Sequence, residues 1–234
     1  MVNIGTTDFY IGITPMSPDV FEKYSTKLFD EWEAYIENIL KLPDYSLVLD
    51  VEEGSVKAVG KIATTLGALY FGIASYGSFV SGLNTIHEQV RTVGDYLGER
   101  AALPFESQAI KPKVTKHGDS LSSLQRLFIK VQRGKMTVEE AMLESEKLFG
   151  NETQTSPKFM NELHESLKQT PSLSQQIQLP LDTLGQEELL SDNKKPRKPR
   201  PSQPNKRLVD PQLFRIEVWR ESKKGKRNVR VTKL

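Results

Sequence analysis

The sequence predicts an α+β fold: a small sheet with one covering helix, a long heptad-patterned helix, an αα-hairpin, and a C-terminal β-hairpin after a disordered linker. Three observations predict it. Short β-branched and aromatic runs near the N-terminus alternate with a period of two, as half-buried strands do. Between residues 18 and 150, apolar residues recur every three or four positions, the period of helices with one buried face. Residues 194–207 alternate cations with prolines, a composition that packs no core.

Taken in order, Asp8 to Thr14 reads as a strand that stops at Pro15. Ser17, Pro18 and Asp19 then make a helix start, with the serine as N-cap and proline in the first turn. Phe21, Tyr24, Leu28, Trp32, Tyr35, Ile36, Ile39 and Leu40 give that helix an apolar face, and it ends before Pro43. Tyr45 to Val51 alternates as a strand, Glu53-Gly54 is a turn, and Ser55 to Val59 reads as a second strand paired with the first.

The stretch from Ile62 to Leu83 contains no charged residue. Ile62, Leu66, Leu69, Ile73, Tyr76, Val80 and Leu83 are spaced four, three, four, three, four and three, which is the seam of a coiled coil. Ala63, Gly67, Ala74, Ser78, Ser81 and Gly82 lie on other sides and allow close helix approach. Ile86, Val90, Val93 and Leu97 continue the apolar face, so one helix is expected over roughly residues 61–98, with the seam as an interface for a second copy or a partner helix. The rival reading is a membrane span, because about 20 apolar residues cross a bilayer. Its serines, threonines and glycines, and aromatics gathered at its centre rather than at its ends, argue against insertion.

Pro104 to Lys116 reads as a connector. Leu121, Leu124, Leu127, Phe128 and Val131 form one face of a helix over 119–132. Thr137 and Glu140 have the spacing of a capping box and open a second helix that ends near Gly150. The division expected is therefore 1–103 for an α/β unit with the long helix, 117–150 for the helical hairpin, 151–207 for a disordered basic-proline linker, and 208–234 for a basic β-hairpin. Within the linker, residues 158–169 are a short amphipathic piece. A lone hairpin is marginal in water, so residues 208–234 are expected to dock on the N-terminal sheet or on a partner.

The net charge of +2 conceals an asymmetry. Residues 194–234 hold 15 Lys and Arg against 3 Asp and Glu, and the preceding residues hold 17 against 27. A basic tail on an acidic body fits an anionic partner, most plausibly nucleic acid, or contact between the tail and its own body. The candidate anion-binding residues are Lys194, Lys195, Arg197, Lys198, Arg200, Lys206 and Arg207 in the linker. In the hairpin they are Lys223, Lys224, Lys226, Arg227 and Arg230, with Trp219 as a candidate stacking platform, although a strand tryptophan beside Ile216 and Val218 is more often packing.

Catalytic motifs are missing from the pattern. There is no cysteine, and His87-Glu88 and His164-Glu165 are followed, four residues after the histidine, by Arg91 and Lys168 where a zinc motif needs a second histidine. Gly60-Lys61 lacks the rest of a phosphate loop. Asp50, Glu52 and Glu53 read as solvated acids at a strand end. The expectation is a non-enzymatic interaction protein without metal or cofactor. It would be cytoplasmic, since the N-terminal residues lack a signal-peptide pattern, or membrane-associated on the rival reading, as an anchored or pore-forming effector.

Overall fold

The computed structural model describes residues 1–12, 16–53, 56–108, 113–171 and 213–234. Six strands are present among them: β1 (Val2–Ile11), β2 (Ser46–Glu52), β3 (Val56–Thr64), β4 (Lys113–His117), β5 (Phe214–Arg220) and β6 (Asn228–Lys233). They form one sheet in the order β4-β1-β3-β2-β5-β6, with every neighbouring pair antiparallel. The helices are α1 (Pro18–Ile39), α2 (Leu66–Ala74), α3 (Phe79–Ala102), α4 (Asp119–Gln132), α5 (Val138–Phe149), α6 (Glu152–Thr155) and α7 (Pro157–Lys168). The fold is α+β, as the sequence predicts.

Alternation along the strands separates the sheet's two faces. Leu47, Leu49, Val51, Ala58, Ile62, Ile216 and Val218 are buried on one face, against α1 and α3. Two helices therefore cover the sheet where one is expected. Trp32 of α1 and Leu97 of α3 meet over Gly60 of β3, where a side chain on residue 60 would collide with both. Tyr35 and Tyr96 stack at 3.9 Å between ring centres, and the Tyr24 hydroxyl donates to the Ala101 carbonyl at 2.9 Å, so α1 and α3 are joined along their length.

The expected single helix over 61–98 is broken. Residues 61–64 belong to β3, which the β-branched run at Ile62, Thr64 and Thr65 favours. Thr65 caps α2 by accepting from the Ala68 N–H, and Ser78 caps α3 by accepting from the Ser81 N–H. Gly77 turns the chain between them at φ +88°. No single helix among the described residues is long and apolar enough to cross a membrane, and α2 and α3 meet at 108°. The heptad spacing reflects residues that face one core from a strand and two helices. Ile62, Leu66, Leu69, Ile73 and Leu83 are all at most 3% exposed inside this chain. Tyr76 is partly buried and accepts a hydrogen bond from Gln89, and Val80 is 38% exposed. The small residues do permit close approach, within the chain: Gly82 of α3 sits directly on the backbone of Ile73 at the end of α2.

Helices α4 and α5 form the expected hairpin, with Thr137 and Glu140 exchanging both capping-box hydrogen bonds. Three differences concern other segments. β1 begins at Val2, well before Asp8. Residues 113–117, read as connector, form an edge strand on β1, recognisable only by backbone pairing because its side chains do not alternate apolar and polar. Residues 151–168, assigned to the linker, form α6 and α7, and Phe159, Leu163 and Leu167 pack fully into the core against α2, α3 and α5. The remaining linker, 172–207, lies outside the described residues.

His87 of α3 is 9% exposed and lies 3.0 Å from the Ser122 hydroxyl of α4 through Nε2, which ties the two helices together. Gly118 lies against both side chains, so any larger residue there would enter the pair. Burial holds the His87 imidazole below the usual histidine range, with Glu88 opposing and Arg91 reinforcing that shift. The unfolded chain therefore binds more protons than the folded one as pH falls below 6.5, so this contribution is complete above that pH and lost beneath it. His87→Gln, which retains a polar link to Ser122, is expected to flatten the decline in melting temperature between about pH 6.5 and 5, where carboxylates are still mostly ionised. A second expectation concerns the α2–α3 corner. A Cβ on residue 82 would stand 2.8 Å from Ile73 Cα, whereas one on Gly67 meets only Ser156 Oγ at 3.7 Å. Gly82→Ala should cost about 2–4 kcal/mol by overpacking against backbone, and Gly67→Ala should be neutral or stabilising by up to about 1 kcal/mol, both read by denaturant titration.

Candidate nucleic-acid interface

The second face of the sheet is met by a helix only at its β1 edge, where the Thr6 hydroxyl donates to Asp119 at the start of α4 at 2.6 Å; none covers β2, β3 or β5 on this side among the described residues. Asn3, Thr6, Asp8 and Tyr10 of β1 point to it, as do Val48, Asp50 and Glu52 of β2, and no residue of β1, β2, β3 or β5 on this side is buried. The register sets these side chains in rows. One row runs Trp219, Val48, Lys61, Thr6 and His117; the next Glu217, Asp50, Val59, Asp8 and Thr115; the third Arg215, Glu52, Lys57, Tyr10 and Lys113.

Charge on this face is divided unequally between paired and unpaired groups. Arg215 donates to Asp50, with its Nε at 2.8 Å, and reaches Glu52 at 3.8 Å. The hydrogen bond to Asp50 holds the guanidinium well above its ordinary range. Arg230 lies 3.5 Å from Glu217, and His117 lies 3.3 Å from Asp8. Arg215 thus serves both Asp50 and Glu52, Arg230 serves Glu217, and Asp8 has the His117 imidazole beside it. Lys57, Lys61 and Lys113 are exposed and make no ion pair among the described residues. Two aromatics complete the face: Tyr10, 44% exposed, and Trp219, half-buried with the Arg230 guanidinium 5.4 Å from its ring centre. Trp219 points away from Ile216 and Val218, so it does not pack beneath the sheet.

The C-terminal hairpin is docked on β2, one of the two expected placements. Its arginines are largely consumed by the body. Arg220 pairs with Glu33 and with Glu37 of α1 at 3.6 Å, and its other nitrogens bond the carbonyls of Lys223 and Gly225 in the hairpin turn. Arg227 pairs with Asp30 of the same helix. Lys223 donates its backbone N–H to Asp44 at 2.8 Å and places its ammonium 5.6 Å from the Tyr45 ring centre. Lys224 and Lys226, at the turn, make no ion pair among the described residues. Lys194, Lys195, Arg197, Lys198, Arg200, Lys206 and Arg207 lie outside the described residues. Tyr10, Lys57, Lys61 and Lys113 were not among the anion-binding candidates of the sequence; alternation in β1 and β3 places the first three on one face, and pairing of β4 with β1 adds Lys113. No group of three potential metal ligands comes together among the described residues.

No family model, curated protein or solved structure matches the chain. Functional inference accordingly rests on the geometry above. The Arg220–Glu33 pair gives one direct test of it, because both side chains are under 20% exposed and Arg220 also holds the hairpin turn. Arg220→Ala should cost about 2–4 kcal/mol and speed hydrogen exchange in β6, by leaving Glu33 buried without its partner. The more exposed pair should matter less, with Arg227→Ala costing under about 1 kcal/mol.

Proposed function

We propose that this protein is a non-enzymatic binding module for single-stranded nucleic acid, which it holds across the open face of its sheet. The observation that carries the reading is the combination of exposed Tyr10 and half-buried Trp219 with three lysines free of ion pairs among the described residues, on a face where Arg215 and Arg230 hold three of the four acids. Stacking of bases on aromatic side chains supplies affinity without reading sequence, and lysines supply phosphate contacts. Trp219 and Tyr10 are three strands and about four residues apart, or about 19 Å on the diagonal at ordinary sheet spacings. Lys57 and Lys61 of β3 flank that diagonal, one on each side. The cationic residues between 194 and 207 precede β5, the strand that carries Trp219, by a few residues in the sequence, and would raise the local concentration of any polyanion there.

The assembly part of the sequence reading has less support. Most of the 62–83 seam is used in the chain's own core, which leaves Tyr76 and Val80 as the seam residues able to meet a partner helix. A contact of that size supports weak association only.

Fluorescence anisotropy with a labelled oligonucleotide of mixed sequence tests the proposal. Single strands should bind at about 50 mM salt, more tightly than the duplex of the same sequence, with a log–log salt slope near −0.7 for each phosphate contact. Trp219→Ala and Tyr10→Ala should each lose about 1–3 kcal/mol, and Lys57, Lys61 and Lys113 changed together to Gln should flatten the slope by about 2. Neutralising Lys194, Lys195, Arg197, Lys198 and Arg200 should weaken single strand and duplex alike. Absence of binding at low salt, or binding indifferent to Trp219 and Tyr10, would overturn the reading.

A further inference from the structure

A separate feature lies among the helices. Where the start of α3, the middle of α4 and the end of α7 converge, a cavity of about 600 Å³ opens to solvent. Phe79, Leu83 and Phe128 form its floor and are 4%, 1% and 7% exposed. The floor is held firmly, since Phe79 lies against both Phe128, at 6.2 Å between ring centres, and Phe159, edge-on at 5.4 Å. Val80 and Ile129 stand at the mouth, 38% and 43% exposed. These are large apolar groups left in water at one place.

The lining is notable for its charge. Of the 13 described residues that line it none is ionisable, in a chain where 26% are Asp, Glu, Lys or Arg. Arg126 and Lys130 lie on α4 yet do not reach it. All its polar groups are amides and hydroxyls. Two amides are already oriented: Gln125 donates Nε2 to Asn84 Oδ1 at 2.8 Å. That single bond leaves the Asn84 amide hydrogens and the Gln125 carbonyl unused by each other, so the pair offers one donor group and one acceptor side by side. Pockets of about 300–1,000 Å³ with apolar walls and a few placed polar groups are the usual form of small-molecule sites.

We propose that this cavity binds an uncharged small molecule with an apolar body and an amide-like edge that can both donate and accept a hydrogen bond. The absence of any counter-ion in the lining decides against carboxylates, phosphates and amines, because a charge entering it would lose water and gain no partner. An amide-bearing ligand keeps its hydrogen bonds by exchanging water for Asn84 and Gln125, while its apolar part covers Phe79, Val80 and Ile129. The site is independent of the sheet face and of any nucleic acid bound there.

The experiment titrates the full chain with the neutral fluorophore N-phenyl-1-naphthylamine and then competes it with decanamide or with decanoate. Saturable binding at one site is expected, with decanamide displacing the probe at least about tenfold better than decanoate, a difference of about 1.4 kcal/mol. Val80→Glu and Ile129→Glu change residues already exposed to solvent, so they should keep the wild-type melting curve and weaken probe binding by about tenfold or more. Asn84→Asp should widen the advantage of the amide over the acid, because a carboxylate in the lining repels decanoate and still accepts from the amide N–H. No saturable binding, equal displacement by the two competitors, or binding unchanged in both mouth variants would overturn the proposal. Binding that emerges only after residues 172–190 are deleted would overturn it too, since the cavity would then be a seat for the chain's own sequence.

Discussion

The ladder between β2 and β5 is the interaction on which the rest of this molecule depends. It joins residues 47–52 to residues 215–220, and so brings a C-terminal strand into the middle of a sheet begun at the N-terminus. Closing so long a loop costs chain entropy, though only logarithmically in its length. What opposes that cost is visible on both sides of β5. Ile216 and Val218 bury completely against the helices, and Arg215 and Arg220 bind acids of β2 and α1. Without the ladder, β2 would be an edge strand with Leu47, Leu49 and Val51 less completely covered, and Trp219 would have no face to stand on.

The elements with a strong local signal were legible in the sequence: α1 with its Ser17-Pro18 start, α4 with its unbroken apolar face, α5 with its capping box, and the two C-terminal strands around Gly225. What was not legible depended on tertiary context. The seven-residue repeat from Ile62 to Leu83 is real as a pattern of burial, yet a repeat records only which residues face a core. It cannot register that a strand hands the pattern to one helix, and that helix to another at 108°. The signals for the break are local and short: Thr65 and Ser78 as caps, and Gly77 at a positive φ. β4 was missed because its pairing is carried by backbone, and α7 because a helix of 12 residues, rich in polar side chains, gains its stability from what Phe159, Leu163 and Leu167 touch.

Of the candidate site, the sequence supplied Trp219 and the hairpin cations but not the surface they belong to. Alternation shows that Trp219 and Val218 point oppositely; it does not show which face meets helices, and hence whether the tryptophan is core or platform. That choice is made by α1, which covers Val218 and leaves Trp219 beside Arg230. The same covering places Tyr10, Lys57 and Lys61 with it, although they come from strands far away in sequence.

The charge asymmetry of the chain resolves by residue type. Arginine has a planar fork that satisfies carboxylates and carbonyls together, and it is less strongly hydrated than an ammonium, so it suits interfaces that are partly dry. In this fold arginines join the hairpin to its body: Arg215 to Asp50 and Glu52, Arg220 to Glu33 and Glu37, Arg227 to Asp30. Lysine keeps its water and acts as a point charge. Lys57, Lys61 and Lys113 on the sheet face, and Lys224 and Lys226 at the turn, are among the cations that no acid among the described residues neutralises. The two readings of a basic tail on an acidic body are therefore compatible, because different cations serve them. The arginines hold the hairpin to its own acids. In doing so they fix the sheet on which the lysines and the aromatics stand, the face proposed to meet an anionic partner.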